Sequence, residues 1–494
     1  MNARTLLWIA GVTGVAFAIL GLRRPLLLDE FHTLYLSTHS YAQMVEWLKP
    51  DAGVPMFHFL LGTWISVFGT SEAAIHGLTS LLYLLSAAGV YWLARAASLE
   101  PTGAAMASFL YVLSPQAFRH AHYGRPYALL ALLVTLSTLC FYRVFREQKI
   151  SRGWMLFYVL VNVAGTFTHY WFAFLLAGQA VVGVLLWRQR VVLLVSLLAA
   201  SSLPFVVLWV PVILNQQMDN GAMKWLARPG FKELAETFLG YFGKDWTGLP
   251  AYLVLAGAAA WKWQSAAWQE WRRNPAVLGI AILMTLVLLI PFLLSQKKPI
   301  FLPGRHTAAA LPLFIVLAAA WLWRLAAPVA QRLALAALWL AAVGGYTVYA
   351  SRPALEDNRP AAVYLKDHLA PGDFVVFTGM SRLGVQYYWD RLPGAYPIPA
   401  EVFPSEMQMH RSWIDSQALL EQERPRMDRE ILALAERLPR EVAPGKSVWI
   451  FRGYDPALTA LLEREIASRG FVLREQVPFA GSHFTHLWRY QREP

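Results

Sequence analysis

At 494 residues the chain is long enough for about three soluble domains, but 57% of it is hydrophobic and only 15% charged, with the apolar residues gathered in blocks. That excludes a soluble globular protein and leaves a multipass membrane protein. The net charge of +12 is uneven: residues 351–494 hold 18 Lys/Arg and 19 Asp/Glu, and the rest holds 25 and 12. A basic membrane part fits topology signals and an anionic ligand, and argues against a nucleic-acid partner. The single cysteine, Cys140, lies inside an apolar run, so no intrachain disulfide or cysteine metal cluster can form.

Charge-free runs near or above the ~20 residues needed to cross the hydrocarbon recur along the chain. They are Thr5–Leu22, Ala73–Ala94, Pro101–Phe118, Pro126–Tyr142, Gly153–Trp187, Val191–Leu214, Trp246–Trp261, Ala276–Ser295, Thr307–Trp323 and Leu333–Ser351. Gly153–Trp187 is too long for one helix and is expected to turn near His169, which makes eleven spans. Arg23-Arg24, with no small-residue cleavage site, follow the first span, so it is read as retained. With the N-terminus in the cytoplasm, the clusters Arg143, Arg146, Lys149, Arg152 and Arg188, Arg190 fall in short inner loops, as the positive-inside rule requires. Ala52–Ser71 is charge-free as well, but Pro55 and His58 interrupt it, and it is read as helices lying at the interface.

In this orientation the outer side collects the chemistry. His32, His39, His58, His76, His120, His122, His169 and His306 all fall at or near outer span ends, and the span interiors hold almost no ionisable residues. A transporter coupled to protons or ions usually needs such a residue near the membrane midplane, so the pattern favours chemistry at the outer interface.

After the first span the chain reads Leu26-Leu27-Leu28-Asp29-Glu30-Phe31-His32. Two carboxylates are expensive where a chain leaves the bilayer, because desolvated carboxylates need partners. One can take the proton of an attacking hydroxyl while the other orients the acceptor or holds a metal. Further on, Ser114–Tyr127 is a tight outer turn crowding Arg119, His120, His122, Tyr123 and Arg125, a set suited to an anionic or sugar ligand. Thr168-His169-Tyr170-Trp171 is a second polar, aromatic turn. Lys297, Lys298, Arg305 and His306 lead into a span from outside and suit a lipid-linked phosphate, for which arginine offers a bidentate fork. Asn215–Leu249 is a long outer loop with the length of a lid or acceptor platform. No histidine pair has the i, i+4 spacing of a helical metal site, so no obligatory metal is expected.

From Arg352 the character turns soluble. Helices are expected over Ala361–Leu369, Ala457–Arg469 and the charged Arg411–Arg440, with strands over Asp373–Thr378, Val448–Arg452, Phe471–Gln476 and Phe484–Tyr490. Strands alternating with helices imply a small α/β domain, and no glycine-rich phosphate loop follows any strand.

Across roughly the first 350 residues the chain resembles the polyprenol-dependent GT-C glycosyltransferases of family 39. That group holds the protein O-mannosyltransferases and the transferase that adds aminoarabinose to lipid A. The likeness rests on Asp29-Glu30, on Val54–Leu61 leading to Phe68-Gly69-Thr70-Ser71-Glu72, on Leu113-Ser114-Pro115 followed by Arg125–Leu129, and on Phe301–His306 before Leu311-Pro312. It departs from the family in having Val54 where a second proline is common, and His306 where a tyrosine is.

The resemblance implies a polytopic α-helical membrane protein, GT-C-like with about eleven transmembrane helices, carrying a small C-terminal α/β soluble domain. Residues 1–350 would form the transferase domain, with outer loops 23–72 and 215–249, and residues 351–494 an extracytoplasmic domain. Asp29 would be the catalytic base and Glu30 its partner, with Arg125, Lys297, Lys298 and Arg305 toward the donor phosphate. His32, His58, Arg119, His120, His122, Tyr123, Tyr127, His169, Tyr170 and His306 would line the substrate pocket. The implied reaction moves a monosaccharide, with inversion, from a polyprenyl-phosphate donor to a hydroxyl of a glycolipid, glycan or protein. It takes place at the outer leaflet of a bacterial inner membrane, with no obligatory cofactor and with Mg²⁺ or Mn²⁺ left open. Two rivals stand beside it: a lipid or polysaccharide transporter, and a polymerase or ligase of lipid-linked glycans.

Overall fold

The computed structural model describes residues 2–49, 53–147, 151–215, 226–243, 274–325, 328–352, 356–379, 381–403, 405, 417–452, 456–479 and 486–494. The chain forms two compact units. The first comprises Met1–Arg23, Gly53–Asn215 and Leu226–Ser351; the second comprises Arg24–Ala52, Gln216–Trp225 and Arg352–Pro494.

The first unit is helical. Among the described residues, seven helical stretches are long and apolar enough to cross a membrane: Ala3–Gly21, Glu72–Ala96, Tyr127–Phe145, Arg188–Leu208, Pro275–Leu294, His306–Trp323 and Pro328–Ser351. Met56–Phe68, Pro101–Leu113 and Phe172–Leu186 are shorter apolar helices. The expected turn near His169 separates helices Arg152–Thr166 and Phe172–Leu186. The expected span Pro101–Phe118 is broken instead: its helix stops at Leu113, Ser114 caps the next one, and Pro115 opens it. Proline disfavours helical backbone in the residue before it and is well placed at the first helical position, so Ser114-Pro115 ends one helix and starts another. The Ala52–Ser71 run contains a 13-residue helix, about 20 Å long and short of the ~30 Å hydrocarbon core. The expected span Trp246–Trp261 and residues 216–225 and 244–249 of the Asn215–Leu249 loop lie outside the described residues; of that loop, Phe231–Phe242 is a helix.

Helix Tyr127–Phe145 is the most enclosed span, and polar side chains tie it to its neighbours. Ser137 Oγ donates to Asn162 Oδ1 at 2.6 Å and accepts from Gln179 Nε2 at 2.9 Å, while the Tyr158 hydroxyl donates to Gln179 Oε1 at 2.6 Å. Asn162 Nδ2 reaches Ser201 Oγ at 3.3 Å. Four helices thus share one buried hydrogen-bonded cluster, the glue expected where lipid gives apolar side chains no reason to prefer each other. By contrast, helix Val191–Leu208 leaves Val192, Val195, Leu203 and Val206 exposed, a surface for lipid tails.

The second unit is built on a five-stranded sheet in the order β2-β1-β3-β5-β4, with β1 Phe374–Thr378, β2 Ala400–Phe403, β3 Ser447–Arg452, β4 Phe471–Pro478 and β5 His486–Arg492. β1 runs parallel to β2 and β3, while β5 is antiparallel to β3 and β4. Helices Gln417–Glu441 and Pro456–Ala467 contribute Ile431, Leu434, Leu438, Leu462 and Ile466 to a core shared with Val376, Val448 and Ile450. The expected strands and helices of this part are present among the described residues; residues 411–416 and 484–485 of two of them lie outside these. Helix Ser381–Trp389 and strand β2 were not expected, the first because Gly384 and three aromatics weaken its helical pattern, the second because it is only four residues long.

Buried Asp373 locks β1 to β3: it accepts from the Ser447 N–H at 2.8 Å, Trp449 Nε1 at 3.0 Å and the Ala370 N–H at 3.2 Å. Asp373→Ala strands these donors and should cost roughly 3 kcal/mol. Hydrogen exchange of the β3 amides should accelerate about a hundredfold, and an unchanged rate would remove this role from Asp373.

Candidate active site

In the first unit, three loops meet at one end of the helices. His120 Nε2 lies 2.8 Å from the Gly304 carbonyl, so that nitrogen carries the proton and donates, tying the Ser114–Tyr127 turn to the loop before helix Leu311–Leu325. Gly304 has φ +78°, a left-handed conformation that glycine adopts without penalty. Its N–H donates to Thr307 Oγ1 at 3.1 Å. Helix Phe231–Phe242 joins the same corner, where the Tyr241 hydroxyl donates to the Thr307 carbonyl at 2.9 Å and Ser114 Oγ donates to the Tyr241 carbonyl at 2.5 Å.

Rings then line up across the corner. Tyr123 stacks on Tyr127 at 5.8 Å, Tyr127 meets His169 at 6.0 Å, and His169 meets His306 edge-on at 5.1 Å. Arg305 lies over the Tyr123 ring at 5.7 Å, a cation–π contact that helps to fix the guanidinium. Arg125, half-buried, acts electrostatically on His169. His306 Nδ1 donates to the Ile300 carbonyl at 2.7 Å. The turn at His169 is fastened as well: the Met56 N–H donates to the Phe167 carbonyl, the Tyr170 hydroxyl donates to the Gly53 carbonyl, and Trp209 Nε1 donates to the Tyr170 oxygen. That fastening brings the start of His58's helix to this end, with His58 itself buried.

The remaining residues expected in the pocket or toward the donor phosphate differ in burial. His122 is buried against Ala18, its Nε2 3.3 Å from that carbonyl, and it occupies the space over Gly21, where a Cβ would come within 2.2 Å of the ring. Its visible role is packing of the first helix. Arg119, Lys297 and Lys298 are exposed.

Desolvation holds His120 neutral, its pKa lowered to about 4 despite the Gly304 hydrogen bond, with Arg119 and Arg305 pushing the same way. His169 is likewise held well below the usual range by desolvation, then by His306 and Arg125. Because the folded chain resists protonating His120, its contribution to stability is complete above about pH 6.5 and is lost as the pH falls toward 4, on the order of 3 kcal/mol. His120→Asn should flatten this part of the pH dependence, read from melts in detergent between pH 7.5 and 4.5; a parallel slope in wild type and variant would refute it.

The acidic pair lies in the second unit, on helix Leu28–Ser37. Glu30 is 1% exposed, and its Oε2 accepts the Leu27 N–H at 2.9 Å, closing the first turn. Asp29 and His32 are half-buried. Glu356 Oε2 accepts the Leu28 N–H at 2.5 Å, and the Leu26 N–H points at the Tyr388 hydroxyl at 3.4 Å. Phe31 packs against Tyr387 and Tyr388, with ring centres 5.2 and 5.9 Å away. Among the described residues, no three His, Cys, Asp or Glu side chains converge to hold a metal ion.

Residues 49–214 match the sequence profile of the dolichyl-phosphate-mannose-protein mannosyltransferase family. No protein with a curated description matches the chain. Among solved structures, ArnT from Cupriavidus metallidurans in the apo state aligns over 99% of this chain and 98% of its own, with a TM-score of 0.63 at 15% identity. The fold is that of the GT-C glycosyltransferases. ArnT bound to undecaprenyl phosphate superposes as well, with a TM-score of 0.63 at 15% identity over 98% of this chain and 97% of its own. The mycobacterial arabinofuranosyltransferase AftD aligns over 100% of this chain and 40% of its own, with a TM-score of 0.54 at 15% identity. Within this GT-C chain, sequence reasoning missed Glu356 and Tyr388. The available signal was Glu356-Asp357-Asn358-Arg359-Pro360, a charged turn between the last span and a helix.

Proposed function

We propose that the protein is an inverting glycosyltransferase that moves a monosaccharide from a polyprenyl-phosphate donor to an acceptor hydroxyl. It would work at the outer leaflet of a bacterial inner membrane, with the C-terminal domain extracytoplasmic. The acceptor is a glycolipid, glycan or protein, and no obligatory metal is invoked. Nucleotide sugars are absent outside the cytoplasm, and a lipid carrier suits an outward-facing site.

The observation that carries this reading is the corner where Arg125 and Arg305 stand on two loops tied by the His120–Gly304 bond. Preorganised cations suit a leaving phosphate. As the bond from the anomeric carbon to the phosphate oxygen breaks, a singly charged diester becomes a doubly charged monoester, and fixed cations favour that change. The acceptor oxygen forms the new bond to the anomeric carbon from the opposite face, and its proton passes to the Asp29 carboxylate. ArnT bound to undecaprenyl phosphate, sharing this fold, supports a polyprenyl carrier.

Purified protein incubated with radiolabelled polyprenyl monophosphate sugars should transfer or hydrolyse the sugar. Movement of the intact lipid across vesicles with no cleavage would overturn the reading in favour of a transporter. Use of diphosphate-linked oligosaccharides alone would favour a polymerase or ligase.

A further inference from the structure

We infer that Glu356, assisted by Tyr388, is a positioning residue that sets the attitude of the acidic helix and so of Asp29; this rests on the reading of Asp29 as the base. The first turn of any helix leaves N–H groups without intrahelical partners. Here the usual cap is missing, since Leu27 occupies the cap position and has no side-chain oxygen. Carboxylates supply what it lacks: Glu30 takes the Leu27 N–H from within the helix, and Glu356, 328 residues away, takes the Leu28 N–H.

A carboxylate at a helix N-terminus also gains from the aligned peptide dipoles, so the contact is strong as well as directional. Rotation of the helix is set independently. Leu26, Leu28 and Phe31 are buried, and the Phe31 ring lies against Tyr387 and Tyr388 of helix Ser381–Trp389. That helix carries Gly384, where a Cβ would come within 2.3 Å of Asn358 and 3.1 Å of Phe31. Asp29 sits between the residue that Glu356 holds and the residue that holds Leu27. A proton-accepting carboxylate must be placed to within about half an ångström, and a first turn free to fray does not do that.

The full-length enzyme tests the inference. Glu356→Ala should lower kcat about a hundredfold with donor KM within twofold. Glu356→Gln, which keeps an acceptor oxygen, should stay within about fivefold of wild type, and Tyr388→Phe should lose about threefold. In an Asp29→Asn background, Glu356→Ala should cost nothing further, because groups acting through one another are not additive. Amide exchange at Leu28–Glu30 should quicken in Glu356→Ala while the Ser447–Arg452 amides stay protected. Wild-type kcat in Glu356→Ala, a loss that multiplies with Asp29→Asn, or exchange rising equally in Ser447–Arg452 would each overturn the positioning role. If Asp29→Asn itself turns over normally, the base assignment fails instead, and exchange at Leu28–Glu30 still reports whether Glu356 holds the turn.

Discussion

Asp29→Asn should reduce kcat by about 10³-fold while leaving donor affinity and the fold in place. The substitution keeps size and hydrogen-bonding capacity but removes the basic lone pair, and a positioned general base is typically worth 10²–10⁴-fold. Asp29 is half-buried on a first turn whose Leu27 and Leu28 N–H groups are taken by Glu30 and Glu356. Its carbonyl accepts from Thr33 Oγ1 at 2.8 Å, a backbone contact that the asparagine variant retains. Single-turnover transfer from a labelled polyprenyl phosphate sugar, with donor binding measured separately, checks both halves. Turnover within tenfold of wild type would remove Asp29 as the base. Glu30→Gln should behave differently: Glu30 is buried and takes the Leu27 N–H, so its loss should appear as a looser helix as well as slower transfer.

Arg305→Ala is expected to have the second-largest effect, raising donor KM about 30- to 100-fold and lowering kcat as well. The guanidinium rests on the Tyr123 face in the corner tied by the His120–Gly304 bond, and charge-assisted hydrogen bonds from arginine to phosphate are among the stronger polar contacts. The kcat component arises because the leaving phosphate gains charge in the transition state, where a fixed cation counts for more than in the ground state. Arg305→Lys should recover only part of the loss, since an ammonium offers a point charge in place of a fork. Donor titrations at low and high salt measure it: the wild type should weaken with salt more steeply than Arg305→Ala. Equal donor KM in wild type and Arg305→Ala would take the phosphate role from this residue.

Much of the chain's organisation was legible because hydrophobic blocks and charged loops obey simple rules of membrane solvation. The turn at His169, the strands Phe374–Thr378 and Ser447–Arg452, and the change of character near Arg352 could all be read from local patterns. What local patterns cannot carry is pairing between distant segments. His120 and Gly304 are 184 residues apart, and nothing in either neighbourhood names the other. The same limit explains why His120 and His122, two positions apart, looked alike. One faces the Gly304 loop and the other is packed over Gly21, and only the three-dimensional course of Pro115–Ala121 separates them. Glu356 was invisible for that reason too, although Leu27 at the cap position signals that the acidic helix must borrow an acceptor from elsewhere.

The long reach of that borrowed contact also sets a schedule for biosynthesis. The segment bearing Asp29 leaves the ribosome more than 300 residues ahead of Glu356 and the aromatic helix beside it, so it waits through nearly the whole of synthesis for its scaffold. If Asp29 is the base proposed above, a nascent chain carries it on a turn that gains its Glu356 brace only after that later segment has been made.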